Sequence, residues 1–175
     1  MRNQDRAVIP LNTRSNVLIF VSLVLLSIWI SYSGTTFWNY AALKRFWLFV
    51  GDLSVFFALI SLSFWALRKV IVVIKKKGTT RLSWVNGRTL LFLRNAHITG
   101  GWLAFALGVG HAIFFILKLP WGISPVNTGV ATLIAMFLLF AFGVLYQYQK
   151  IKLMARSWHI NLAIIFSIVL ITHAM

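Results

Sequence analysis

The chain contains only four histidines, and they form two pairs with the same spacing. His97 in "RNAHITG" and His159 in "RSWHINL" each follow an arginine by three positions. His111 in "GHAI" and His173 in "THAM" come fourteen positions after them, and each is followed by alanine. Neutral imidazole is the commonest protein ligand of metal ions. The repeat therefore predicts two matched sets of metal ligands on two similar elements.

The rest of the composition excludes most other kinds of catalytic or metal site. The chain has no cysteine, so disulfides, thiolate nucleophiles and cysteine-ligated iron–sulfur clusters are excluded. Its only acidic residues are Asp5 and Asp52, too few for paired-carboxylate catalysis or a carboxylate metal cage. We therefore predict no catalytic residue and expect the chemistry of this chain to depend on histidine.

Five apolar stretches must position these histidines. Sixty per cent of the residues are hydrophobic and 11% are charged, whereas soluble domains carry about a quarter charged residues. A helix of about 20 apolar residues crosses a bilayer. We predict one all-α integral membrane domain, residues 1–175, folded as a five-helix transmembrane bundle with helices at about 17–33, 50–74, 90–119, 129–147 and 158–175. The first stretch also resembles a secretory signal, because a basic start and a short apolar core lead to "SYSG" at Ser31–Gly34, and we interpret it as a retained helix.

The basic residues predict the orientation of this bundle. If five helices alternate, fourteen lysines and arginines lie on the side of the N-terminus and three lie on the other side. The positive-inside rule then puts the N-terminus in the cytoplasm, in a multi-pass protein of the cell inner (plasma) membrane. A net charge of +15 would suggest nucleic acid in a soluble chain, but between apolar helices it indicates contact with membrane lipid. Tryptophans near predicted helix ends, such as Trp47 and Trp158, are typical of membrane interfaces.

The spacing of fourteen positions places both histidines of a helix on one face. Over that length a helix rises about 21 Å and leaves the two side chains only about 40° apart. The third and fifth helices run in the same direction. His97 and His159 (the inner pair) are therefore predicted to meet at the cytoplasmic end, and His111 and His173 (the outer pair) at the other end.

Two facing imidazoles suit haem better than a bare metal ion. Haem iron already has four porphyrin nitrogens and takes axial ligands from the protein, whereas zinc or copper takes three or four protein ligands. We therefore predict two b-type haems, one on each pair. The ligand N–H groups are expected to donate to backbone carbonyls one turn earlier, with help from Ser, Thr or Asn side chains.

Small and basic residues flank the inner pair in the same way on both helices. Gly101 and Ala163 each lie four positions after a histidine, where a flat macrocycle needs short side chains. Arg94 and Arg156 each lie three positions before a histidine and would bind haem propionates through their planar guanidinium groups. Both features have a second interpretation, since small residues also pack membrane helices and arginines at helix ends also fix orientation.

Two helices that each carry a histidine pair, separated by one short helix, resemble the ferric-reductase-like transmembrane dihaem cytochromes b. That group includes ferric reductases, NADPH oxidases and the haem subunits of bacterial methionine sulfoxide reductase systems. The resemblance covers roughly residues 17–175 and implies that the inner pair ligates an inner haem and the outer pair an outer haem. Equal spacing in both helices departs from the family and is instead similar to cytochrome b of the quinol-oxidising bc complexes. No GxGxxG follows a strand, so the chain resembles a short form that lacks the flavin/nicotinamide domain.

The residues and the resemblance together predict a membrane cytochrome b that relays electrons across the bilayer, as a subunit or partner of a larger redox system. A redox partner protein or the quinone pool would exchange electrons with it, and no nucleic acid is expected. Whether the chain is itself an enzyme stays open. One alternative is a quinone-reactive, haem-bearing membrane anchor of an oxidoreductase, for which Asn95, Ser157 and Asn161 would supply polar groups. The other is a haem-free structural membrane subunit.

Overall fold

The described part of the chain is almost entirely helical. The computed structural model describes residues 13–37, 39–76, 87–120, 122–146 and 152–175. Within these ranges the chain forms five helices and no strand, which confirms the predicted all-α five-helix bundle. The helices are α1 (Thr13–Phe37), α2 (Tyr40–Lys76), α3 (Gly87–Lys118), α4 (Ser124–Leu145) and α5 (Lys152–Ala174).

Each of the five helices is long and apolar enough to cross a membrane. Large apolar side chains lie on their outward faces, among them Leu18, Phe92 and Ile164, which are 67%, 63% and 58% exposed. Exposure of such large apolar surfaces to water would be unfavourable in free energy, whereas lipid tails solvate them. Helices also satisfy their own backbone hydrogen bonds inside a bilayer. The chain is therefore a multi-pass membrane protein, and its orientation stays a prediction.

Each helix begins before the apolar stretch that predicts it. The largest difference is at α2, which begins at Tyr40 rather than near residue 50. Asn39 caps this helix, since the Ala42 N–H donates to its side-chain oxygen over 2.8 Å. Trp47 consequently lies inside α2, is 2% exposed and stacks on Phe114. The prediction that Trp47 lies at the membrane interface is therefore wrong. Trp158, in contrast, is exposed near the start of α5.

The bundle consists of two antiparallel helix pairs and one further helix. α2 packs along α3, α4 packs along α5, and α1 and α4 also pack on α3. Between α3 and α4 the chain turns at Pro120 and at Gly122, whose φ of 94° favours glycine. Within the described residues α3 and α5 make almost no direct backbone contact, so side chains must bridge the space between them.

Three apolar clusters hold the bundle at different depths. The central cluster joins α3, α4 and α5 through Phe105, Ala135, Met136 and Phe166. Phe105 also stacks between other aromatic rings, with its centroid 4.3 Å from that of Phe140 on α4. The two remaining clusters lie between α2 and α3 and comprise Leu43, Trp47, Val50 and Phe114 at one end and Ile71 and Leu93 at the other.

Candidate functional site

The structure brings the four histidines together in the two pairs that their spacing predicts. The rings of His97 and His159 have their centroids 6.3 Å apart and are inclined by 84°. The rings of His111 and His173 have their centroids 6.4 Å apart and are inclined by 79°. The two pairs thus have nearly the same geometry, and α3 and α5 run parallel past each other.

These ring separations match those of two imidazoles bound to one metal from opposite sides. A metal–nitrogen bond of about 2.0 Å, with about 1.1 Å from that nitrogen to the ring centre, puts the two centres about 6.2 Å apart. A direct in-line N–H···N hydrogen bond of about 2.9 Å would bring them to about 5.1 Å. Each pair therefore has the ring spacing expected of two imidazoles that would hold one metal ion between them.

On α3, both histidines donate their Nδ1–H to carbonyl groups of α2. His97 Nδ1 lies 3.0 Å from the Ser61 carbonyl oxygen and 2.9 Å from the Ser61 hydroxyl. That hydroxyl in turn donates to the His97 carbonyl over 2.8 Å. His111 Nδ1 donates to the Trp47 carbonyl over 2.7 Å. The two acceptor residues are also fourteen positions apart, so α2 repeats the spacing of α3 in the opposite direction.

On α5, the two histidines use acceptors on α4 in the same way. His159 Nδ1 donates to the Leu139 carbonyl over 2.9 Å. His173 Nδ1 lies 3.1 Å from the Thr128 hydroxyl, which itself donates to the Ser124 carbonyl over 3.0 Å. Thr128 thus relays the hydrogen bond of His173 to the backbone of α4.

Backbone carbonyls accept from most of the ligand N–H groups, as predicted. The prediction that these carbonyls lie one turn earlier on the same helix is wrong. Three acceptors are carbonyls and one is a threonine hydroxyl, but all belong to neighbouring helices rather than to the preceding turn. Carbonyls of the ligand's own helix already accept N–H groups four residues later, and each ring projects sideways. With Nδ1 donating, the neutral ring is protonated there, and Nε2 is the nitrogen left for a metal.

Three glycines that the sequence interpretation did not single out make room for the rings. A Cβ on Gly51 of α2 would lie 2.5 Å from His111 Nδ1. A Cβ on Gly129 or Gly143 of α4 would lie 3.1 Å or 3.0 Å from Cε1 of the histidine on α5 that it faces. Gly129 and Gly143 themselves repeat the fourteen-position spacing of the ligands, and this repeat in the sequence would have pointed to them.

The level between the two pairs is filled by one small and one large apolar side chain. Ala104 on α3 and Phe166 on α5 each lie seven positions from both histidines of their helix. They are 5% and 8% exposed, and Phe166 belongs to the central apolar cluster. Apolar packing therefore separates the inner from the outer pair.

The predicted accessory residues lie near the inner pair with differing surroundings. Arg94 and Arg156 are exposed, and Ala163 and Gly101 are half-buried. A Cβ on Gly101 would meet nothing closer than the Ser61 hydroxyl, at 3.8 Å. Close helix packing therefore does not require glycine at position 101, in contrast to Gly108, whose Cβ would lie 2.6 Å from Met136.

Arg68 is an accessory residue that sequence interpretation used only as an orientation signal. It lies seven positions after Ser61, which places it on the same face of α2 and about 10 Å nearer the predicted cytoplasmic end. Its charge acts on the His97 ring. Its Nε is buried and has no hydrogen-bond partner among the described residues. A buried, unpaired guanidinium nitrogen beside the inner pair fits an anion that would bind there.

Other polar groups in the described ranges do not form a competing site. No group of three or more His, Asp or Glu residues lies close enough to hold a metal ion by itself in that part of the chain. Ser157 and Asn161 are exposed and Asn95 is half-buried. A shallow apolar crevice between α1 and α3, lined by Phe20 and Trp102 among others, lies on the far side of α3 from the histidines.

Comparison with protein-family models, with curated proteins and with solved structures found no match to this chain.

Proposed function

We propose that this protein is a membrane cytochrome b, which holds one b-type haem on each histidine pair and relays electrons across the bilayer. The observation that carries the proposal is the matched geometry of the pairs, with ring centroids 6.3 Å and 6.4 Å apart. A site with two ligands suits a metal that brings its own equatorial ligands, as haem iron does. A bound haem would supply reversible one-electron chemistry of its iron.

The residues of the chain have three tasks in this proposal. Hydrogen bonds from Nδ1 to α2 and α4 fix each ring in the tautomer and orientation that a ligand needs. The glycines opposite the rings let α2 and α4 approach closely enough to accept those bonds. Because two histidines would hold each haem, the bound iron would favour electron transfer over binding of oxygen or substrate.

Three arginines would bind the propionates of the inner haem. Arg94 and Arg156 lie three positions before the ligands, and Arg68 has a buried Nε without a partner in the described residues. Carboxylates match the planar donors of guanidinium. Arg68 should contribute most, because its Nε is buried and charge-assisted hydrogen bonds strengthen where water is excluded.

The proposed redox partners follow from the proposed electron-transfer function. We propose that the chain resembles the ferric-reductase-like cytochromes b and would receive electrons from a soluble redox protein or from membrane quinol. The direct test is the visible spectrum of the purified protein and its haem content. Two haems per chain with sharp reduced-state bands would support the proposal, whereas a colourless protein that fails to bind added haem would overturn it. Reduction of the bound haems by quinol would then separate the two kinds of donor.

A second experiment tests the role of Arg68. The haem-free protein is titrated with haem and with haem dimethyl ester, whose propionates carry no charge. We expect the wild type to prefer haem, and Arg68→Gln to reduce that preference about tenfold. Lys69→Gln is the matched control, because Lys69 is adjacent but lies over the Trp65 ring, 5.6 Å from its centroid. Equal preferences in the wild type and Arg68→Gln would contradict this role without affecting the haem assignment.

A further inference from the structure

Asp52 is the only acidic residue in the part of the chain that the structure describes, and it lies deep in the membrane region. Trp47 and Ser61 mark the levels of the outer and inner pairs on α2, because their carbonyls accept from His111 and His97. Asp52 is two positions from the point halfway between them, or about 3 Å along the helix axis. Since roughly 30 Å of hydrocarbon must surround this region, Asp52 lies near its centre.

The side chain of Asp52 is directed away from the bundle. The face of α2 that packs on α3 includes Trp47, Ser54 and Ser61, and Asp52 follows on the opposite side of the helix at about 160° from Ser54. Asp52 is exposed, and so are Phe49 and Phe56, one turn before and after it, at 62% and 54%. Only α3 packs extensively on α2 among the described helices.

The Asp52 carboxylate has no hydrogen bond or ion pair within the described ranges. Its charge acts on the His111 ring. A carboxylate facing lipid tails at this depth is costly, and such residues in membrane proteins pair or mark a functional site. Phe49, Asp52, Phe56 and Leu59 therefore form an outward stripe, the Asp52 face, that requires a partner.

We propose that the Asp52 face docks a membrane-spanning helix of a different subunit, which carries a lysine or arginine near its middle. A second copy of this chain does not fit. Copies insert in the same direction, and a two-fold contact through this face would bring Asp52 against its own equivalent. The nearest basic residue along α2 is Arg45, seven positions away on the same side of the helix, or about 10 Å along the axis. In a two-fold contact between parallel copies it would therefore not lie at the level of Asp52. A basic helix from another protein supplies the missing charge and also covers the phenylalanines.

The test places a photo-crosslinking amino acid at Phe56 in the full-length chain, expressed in its own membrane. We expect an adduct with a membrane protein whose spanning helix has a Lys or Arg in its central third. Asp52→Asn should reduce that adduct about fivefold or more, at equal amounts of chain in the membrane. Ser63→Ala, farther along the same side of α2, should not change it. The same label at Phe137 on α4, which is 56% exposed, should not give this adduct.

Reversal of the charges then distinguishes a specific pair from general proximity. Asp52→Lys should lose the adduct, and an acidic residue in place of the partner's basic residue should restore it. Adducts with lipid alone, with a second copy of this chain, or with a helix that lacks a basic residue would overturn the proposal. It would also be overturned if Asp52→Asn left the adduct unchanged. None of these outcomes depends on whether haem is bound.

Discussion

Thr128 offers the sharpest test of the outer pair. The other three histidines have a backbone carbonyl as the Nδ1 acceptor. His173 Nδ1 instead lies 3.1 Å from the Thr128 hydroxyl. Thr128→Val removes the hydroxyl and keeps the branched shape. The half-buried Nδ1–H then loses its acceptor, which costs about 1–3 kcal/mol. A loss of outer-shell bonding typically lowers metal affinity by about 10–100-fold, so the two estimates agree.

The assay is the transfer of haem from the purified variant to an excess of a haem-scavenging protein. We expect the outer haem of Thr128→Val to leave about 10–100-fold faster, and the inner haem to leave at the wild-type rate. Thr128→Ser, which keeps a hydroxyl, should behave like the wild type. Thr132→Val is the matched control, because the Thr132 hydroxyl donates to the Thr128 carbonyl over 2.8 Å and contacts no histidine.

Two results would refute this reasoning. If Thr128→Val and Thr132→Val release haem at the same rate, the effect belongs to α4 as a whole and not to the bond with His173. If Thr128→Val releases the inner haem instead, the assignment of His173 to the outer pair is wrong.

Three further predictions concern the same pairs. His111→Leu and His173→Leu should each remove the same haem and leave the haem of the inner pair, as judged by reduced-state spectra and haem content; loss of different haems would disprove the pairing. Gly51→Ala should also remove the outer haem, because its Cβ would lie 2.5 Å from the His111 ring, whereas Gly87→Ala meets nothing within 4 Å and should be silent in the same spectra. Removal of the last three residues deletes one outer ligand, so haem analysis should find one haem per chain, and removal of only the last two should leave both.

The pairing of the histidines could be predicted from the sequence because it depends on short-range geometry. A spacing of fourteen positions fixes a common face on any helix, and five alternating spans make the third and fifth parallel. His97 and His111 lie the same distance along the chain before His159 and His173, so a single register aligns both pairs. The five spans could be predicted for a similar reason, since length and hydropathy define them locally.

The surroundings of the rings could not be predicted in the same way. Which carbonyl meets His97 depends on the register between α2 and α3, and that register depends on packing between residues far apart in the chain, such as Trp47 against Phe114. The start of α2 had the same difficulty, because the cap at Asn39 lies outside the apolar stretch. Arg68 differs from the other basic residues on the predicted cytoplasmic side only by its buried Nε, which no sequence pattern expresses.

The division of tasks among the helices explains why the spacing of the ligands recurs elsewhere along the chain. α3 and α5 carry the ligands, while α2 and α4 carry the acceptors and the glycines that face the rings. Each antiparallel pair therefore holds one half of both sites. Since α3 and α5 make almost no direct backbone contact within the described residues, a cofactor between the rings would join the two halves directly. Binding would then stabilise the bundle as well as equip it for electron transfer, because a ligand held by both halves favours their assembled state.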